Sequence, residues 1–158
     1  MIKEGTTAPA FKTTDADGET VNLKELKGQK VVLYFYPKDD TPGCTKEACS
    51  FRDASAAYKE KGIEVVGVSK DSVKSHKKFA EKYHLQFTLL SDESKAVIQA
   101  FGAWGVKKFM GKEYEGTKRN SYLINPEGEI AKSYENVNPL THSTEILRDF
   151  EAISASAT

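Results

Sequence analysis

Cysteine is scarce in this chain, with two among 158 residues, too few for the disulfide framework of a small secreted protein. Net charge is missing as well. The 23 acidic residues balance the 23 basic ones, so nothing draws the chain toward nucleic acid or an anionic membrane. No apolar run approaches the roughly 20 residues of a membrane-spanning helix. The opening Met1-Ile2-Lys3-Glu4-Gly5 lacks the apolar core of a secretion signal. Histidine is limited to His76, His84 and His142, scattered along the chain, and these read as surface or packed structural residues rather than metal ligands. No nicotinamide, flavin or metal motif appears, and there are no repeats and no low-complexity linker. What remains is a single domain over residues 1–158, long enough to bury one core. The expected location is the cytoplasm, where thiols are kept reduced.

Both cysteines fall in one stretch, Pro37-Lys38-Asp39-Asp40-Thr41-Pro42-Gly43-Cys44-Thr45-Lys46-Glu47-Ala48-Cys49. Before it, Val31 to Tyr36 is a continuous apolar and aromatic run, as in a strand buried on both faces. After it, Ala48, Phe51, Ser55 and Tyr58 recur at helical spacing. Two prolines and a glycine force a tight turn between strand and helix. Cys44 therefore lands in the first turn of a helix at the carboxyl end of a central strand, where open α/β sheets place their chemistry. Unpaired N–H groups and the macrodipole there favour a thiolate.

Cys49 follows five residues later. In a regular helix that offset separates the Cα atoms by about 8.7 Å, beyond the roughly 7 Å a disulfide spans. Either the thiols never pair or the first helical turns unwind when they do. The spacing is not the C-x-x-C of a thioredoxin-type redox pair, and no second cysteine pair completes a zinc site.

The rest of the chain alternates. Phe11–Thr14 and Thr20–Leu23 flank the turn Asp15-Ala16-Asp17-Gly18 as an N-terminal β-hairpin, and Leu23–Gly28 is one helical turn. The helix after Cys44 is expected to run to about Lys61, with Gly62 as its stop. Ile63–Val68 is a second buried strand, and Ser72 caps a helix to about Tyr83 with Val73, His76, Phe79, Ala80 and Tyr83 on one face. Phe87–Leu90 is a short apolar segment, followed by a helix over Lys95–Phe101. Segment 102–118 has no clean period and reads as a long loop with irregular strand. Ser121–Ile124 and Ile130–Tyr134 are strands joined by Asn125-Pro126-Glu127-Gly128, and a last helix spans Thr141 to about Ile153 before a polar tail expected to fray. The order predicts an α/β protein with a mixed central sheet covered by helices on both faces.

The string from Tyr34 to Asp53 resembles the active-site segment of a peroxiredoxin, and within that family the Q-type, or bacterioferritin comigratory protein, subfamily. The family pattern P-x-x-x-T-x-x-C falls on Pro37, Thr41 and Cys44, and the subfamily's resolving cysteine falls on Cys49. The family's catalytic arginine matches Arg119 in Lys118-Arg119-Asn120-Ser121-Tyr122-Leu123-Ile124. The resemblance runs from about Ile2 to Ile153; one departure is Asn125, a turn position where relatives usually carry an acidic residue.

The resemblance implies a thioredoxin-like fold and a thiol-dependent peroxidase acting on hydrogen peroxide and organic hydroperoxides. Cys44 would become a sulfenic acid, and Cys49 would then close a Cys44–Cys49 disulfide, reduced by thioredoxin or a similar dithiol. Arg119 would favour the thiolate and stabilise charge on the leaving oxygen. The Thr41 hydroxyl would accept a hydrogen bond from the peroxide and donate one to sulfur. The backbone N–H groups of Gly43 and Cys44 would complete the cradle, and Pro37 would shape the pocket and exclude water. Arg52 is read as a helix-face ion pair with Glu47 or Asp53, or as outer support for the site. The family also places Trp104–Met110 near the rim of the site. No cofactor is needed, and a monomer with at most a weak dimer is expected. Two rivals share the residues: a general thiol–disulfide oxidoreductase, which the missing C-x-x-C disfavours, and a redox-sensing binding module whose cysteines only switch shape.

Overall fold

A computed structural model of the chain describes residues 2–156. Its centre is β3 (Lys30–Phe35), whose side chains alternate between two apolar clusters. Val32 and Tyr34, with Tyr36 just beyond the strand, face one cluster; Val31, Leu33 and Phe35 face the other, which is why the segment reads as an unbroken apolar run. β4 (Ile63–Ser69) runs parallel to β3, and β5 (Thr88–Ser91) parallel to β4. β8 (Ser121–Ile124) and β9 (Ile130–Tyr134) add antiparallel strands on the other side. The N-terminal hairpin, β1 (Lys12–Asp15) and β2 (Thr20–Asn22), pairs along β5, so the seven strands follow the order β2-β1-β5-β4-β3-β8-β9. Asp15 closes that hairpin, its Oδ1 accepting the N–H groups of Asp17 and Glu19.

Helices cover both faces. Cys44, Ala48 and Phe51 of α1 (Pro42–Asp53), Tyr58 of α2 (Ser55–Glu60), Phe79 of α3 (Val73–Tyr83) and Ile146 of α5 (His142–Ser156) fill the first cluster. Val97 and Ile98 of α4 (Ala96–Ala100), with the 3-10 turn Leu23–Leu26, cover the second. The Ser72 hydroxyl caps α3 by accepting the Ser75 N–H at 3.1 Å, and His84 ends it in the left-handed region at φ 54°.

Three expectations change. The helix after Cys44 is broken at Ala54 (φ −90°, ψ 4°), a bend that lets Phe51 and Tyr58, with rings 5.7 Å apart, reach the same cluster. Segment 102–118 is a hairpin, β6 (Trp104–Phe109) and β7 (Lys112–Thr117), forming a separate two-stranded sheet. Its turn places Met110 at φ 51° and Gly111 at φ 79°; methionine is an unusual occupant of a left-handed position, and that hid the hairpin. The last helix continues to Ser156, past Ile153, and the final two residues of the expected polar tail lie outside the described residues.

One register decides where chemistry can occur. β8 is antiparallel to β3 with Ser121 opposite Tyr34, and the Phe35 N–H donates to the Asn120 carbonyl at 2.9 Å. The residues just before β8 therefore arrive beside the loop that leaves β3. Beneath that junction, Gly67 of β4 gives room to Tyr34: a Cβ there would lie 2.9 Å from the Tyr34 ring and 3.0 Å from Leu89. Gly67→Ala is expected to cost about 1–3 kcal/mol in denaturant unfolding through overpacking. An unchanged midpoint would show that the ring shifts freely.

Candidate active site

Thr41 is the N-cap of α1, with extended backbone (φ −100°, ψ 156°), and Pro42 takes the first helical position, where its missing N–H costs nothing. The Thr41 side chain does not cap the helix, so the first-turn amides of Gly43 and Cys44 are left for a ligand or the thiolate. The Thr41 hydroxyl donates to the Lys38 carbonyl at 2.8 Å. Its hydrogen is thus committed to the backbone and not to sulfur, which corrects one half of the expected role; its oxygen retains lone pairs that can accept. Pro37, half-buried, starts the loop.

Cys44 is 1% exposed and Cys49 is half-buried, both as free thiols on the single helix α1. Arg119 comes from the segment before β8, and its Nη2 donates to Cys44 Sγ at 3.3 Å across 75 positions of sequence. Gly43 makes this approach feasible: a Cβ there would sit 2.6 Å from the Arg119 Nη2. The structure therefore gathers Thr41, Gly43, Cys44 and Arg119, while Cys49 opens on a shallow cleft with Ser50, Leu140, Ser143 and Thr144.

Glu47 was not expected here. It is 1% exposed, one turn past Cys44, with Oε1 3.4 Å from Arg119 Nη1 and Oε2 buried without a hydrogen-bond partner among the described residues. Burial pushes its carboxyl up to about 7 against the opposing pull of Arg119. Its helical spacing from Cys44 was the available signal, hidden because a glutamate between lysine and alanine reads as a solvent face. Arg52 pairs with Asp53, one of its two expected partners, at 3.0 Å and donates to the Tyr83 carbonyl at 2.7 Å. Tyr34 packs beneath, its ring stacked on Phe51 at 4.8 Å; desolvation, followed by the charges of Glu47 and Cys44, holds its phenol far from ionising.

From the β6–β7 hairpin it is Lys107 that couples to the site. Its amine donates to the Thr117 carbonyl at 2.9 Å, and burial followed by Arg119 lowers its pKa. Trp104 packs on the second apolar cluster, with Lys95 4.7 Å from its ring centre. His142 is fully buried between Ser121 and Glu145, a packed residue as expected, whereas His76 lies in a charged cluster with Asp39 and Asp71 that its helical position did not reveal.

The family model for AhpC/TSA matches residues 5–133. Peroxiredoxin Bcp of Escherichia coli is 46% identical over 146 residues, covering 92% of this chain and 94% of that one. A cysteine-to-serine variant of PrxQ from Xylella fastidiosa superposes with a TM-score of 0.91 at 30% identity, covering 98% of both chains. Bacterioferritin comigratory protein of Xanthomonas campestris, solved as trapped intermediate and ligand complexes bearing on its alkyl peroxide reduction activity, gives a TM-score of 0.88 at 32% identity over 95% of this chain and 98% of that one. The mixed sheet is thus thioredoxin-like.

The raised carboxyl of Glu47 carries a sign. Intact α1 holds a proton that an unwound α1 releases, so the helix loses stability as pH rises from the ordinary carboxylate range to about 7, and no further above that. His142, whose pKa is lowered chiefly by burial, acts in the opposite direction at low pH. In a Cys44→Ser background, which removes the thiol's own titration, amide exchange in α1 corrected for intrinsic rates should quicken about 10–100-fold between about pH 5 and 7.5. Glu47→Gln should abolish that rise, and an equal rise in both proteins would contradict the assignment.

Proposed function

We infer the division of labour in this site from one premise: the chain belongs to the AhpC/TSA family and is a peroxiredoxin, a thiol-dependent peroxidase. The observation that carries the reading is the contact of Arg119 Nη2 with Cys44 Sγ at the uncapped start of α1, with a second free thiol on the same helix. The Cys44 thiolate attacks the nearer peroxide oxygen in line with the O–O bond. An S–O bond forms, the O–O bond breaks, and the departing alkoxide or hydroxide takes a proton to leave as alcohol or water. Arg119, always charged and planar, meets both the sulfur and the oxygen on which charge develops. The Thr41 hydroxyl accepts the peroxide's O–H, the Gly43 and Cys44 amides donate to its oxygens, and Pro37 shields the pocket from water. Organic hydroperoxides fit the reading beside hydrogen peroxide, as alkyl peroxide reduction is described for the Xanthomonas relative.

In the second step the Cys49 sulfur attacks the Cys44 sulfenic acid; an S–S bond forms, the S–O bond breaks, and water leaves. Both thiols sit in an intact helix, so α1 must unwind for this step. An external dithiol such as thioredoxin then supplies two electrons and returns both thiols. The reading has the protein acting as a monomer, in a reducing compartment such as the cytoplasm. No helix among the described residues is long and apolar enough to cross a membrane.

Stopped-flow peroxide consumption with a thioredoxin system tests the roles. Cys44→Ser should abolish turnover. Cys49→Ser should keep a single stoichiometric oxidation and lose cycling; loss of that first burst as well would overturn the assignment.

A further inference from the structure

The connection from β3 to α1 is held by α3 at two consecutive residues, Asp39 in the interior and Asp40 at the surface. Asp39, 6% exposed, takes the Tyr36 hydroxyl on Oδ1 at 2.6 Å and the Ser75 hydroxyl on Oδ2 at 2.8 Å. The same Oδ2 lies 2.7 Å from Nδ1 of His76, which is fully buried. The Asp39 N–H donates to Asp71 Oδ2 at 2.9 Å, an oxygen that also accepts the Ser69 hydroxyl. Asp40, in the left-handed region at φ 56°, accepts Lys82 Nζ at 2.8 Å and the Tyr83 hydroxyl at 2.7 Å.

The protonation of this cluster follows from its partners. His76 Nε2 is 2.9 Å from the Leu90 carbonyl, which only accepts, so that nitrogen carries hydrogen. The other ring nitrogen faces a carboxylate, and the arrangement that satisfies both is an imidazolium against an ionised Asp39. Burial works against the charged ring, but the hydrogen bond and charge of Asp39, the Leu90 carbonyl and the charge of Asp71 together raise its pKa. A buried ion pair adds little net stability compared with apolar packing; what it fixes well is one geometry. The carboxylates and ring also lie close enough to suggest a metal site, yet their atoms are spent on one another and on Tyr36, Ser69 and Ser75.

What this geometry fixes is the Lys38–Asp39 peptide. Its N–H is held by Asp71, and its carbonyl is the acceptor that takes the Thr41 hydroxyl hydrogen at 2.8 Å. The direction of that O–H bond sets where the remaining lone pairs of Thr41 point. We propose that His76 and Asp39 are positioning residues for peroxide: the pair locks the Lys38 carbonyl, which aims the Thr41 hydroxyl at the bound substrate. The inference rests on the reading of Thr41 as a peroxide contact.

The test compares two reactions of the same thiol: second-order oxidation by hydrogen peroxide, and alkylation by iodoacetamide, which needs the thiolate but no aimed acceptor. Asp39→Ala and His76→Leu should each slow peroxide oxidation about tenfold or more, since a misplaced contact of this kind costs up to about 100-fold, while alkylation stays within about threefold. The double variant should be no slower than either single one, because the pair acts as a unit. Asp39→Asn, whose amide accepts from Tyr36 and donates to a neutral His76 ring, should retain the peroxide rate within about threefold. Asp39→Ala is the gentler change should His76→Leu fail to fold, for it leaves no unpaired buried carboxylate. A wild-type peroxide rate in Asp39→Ala would overturn the proposal, and so would a parallel loss of both reactions. Thr41→Val separates the levels: if it alone keeps the full peroxide rate, the reading of Thr41 fails and the inference with it. If Thr41→Val is slow and Asp39→Ala is not, only the inference fails.

Discussion

A helix cannot bring residues five apart close enough for a disulfide, and in this protein both thiols sit on one helix. Most of the site can be understood as a response to that conflict. Intact, α1 presents Cys44 beside Arg119 at the first turn, where the peroxide step needs it. In the proposed mechanism its unwinding frees Cys49 to reach the oxidised sulfur. The helix must therefore be stable enough to build the pocket and weak enough to leave it. Phe51 and Ala48 anchor α1 in the core, while Glu47, buried with one oxygen unpartnered among the described residues, pulls the other way.

The parts that must not move belong to other elements. Arg119 is delivered by the antiparallel register of β8 on β3, a pairing in which α1 takes no part. The loop ahead of Thr41 is tied to α3 through Asp39 and Asp40, and the far end of α1 meets the same helix through Arg52 and the Tyr83 carbonyl. Unwinding is thus framed at both ends by one fixed element. A segment held this way can open locally without the sheet giving way.

How much of this the sequence discloses depends on the range of the interaction. The buried strand β3, the turn into α1 and the placement of Cys44 in its first turn follow from local pattern: an apolar run, two prolines, a glycine and helical spacing. Arg119 is different. Its partner is 75 residues away, and only the β3–β8 register brings them together, so family resemblance identified it and residue chemistry alone did not. Glu47 and Asp39 look like ordinary surface charges in the string, because burial of a carboxylate is decided by which face of α1 packs down and where the loop lies. His76 was correctly read as packed, but a helical face does not show that the residue opposite is an aspartate. The β6–β7 hairpin was missed for a local reason, a methionine in a left-handed turn.

Disulfide formation between Cys44 and Cys49 is proposed to require α1 to open while the rest of the fold persists. Amide hydrogen exchange on the fully reduced and the disulfide-bonded protein addresses it most directly. Residues 42–53 should lose protection in the oxidised form, while β3, β4 and β8 keep theirs. A Cys44–Cys49 disulfide in a protein whose α1 amides remain as protected as in the reduced form would contradict it.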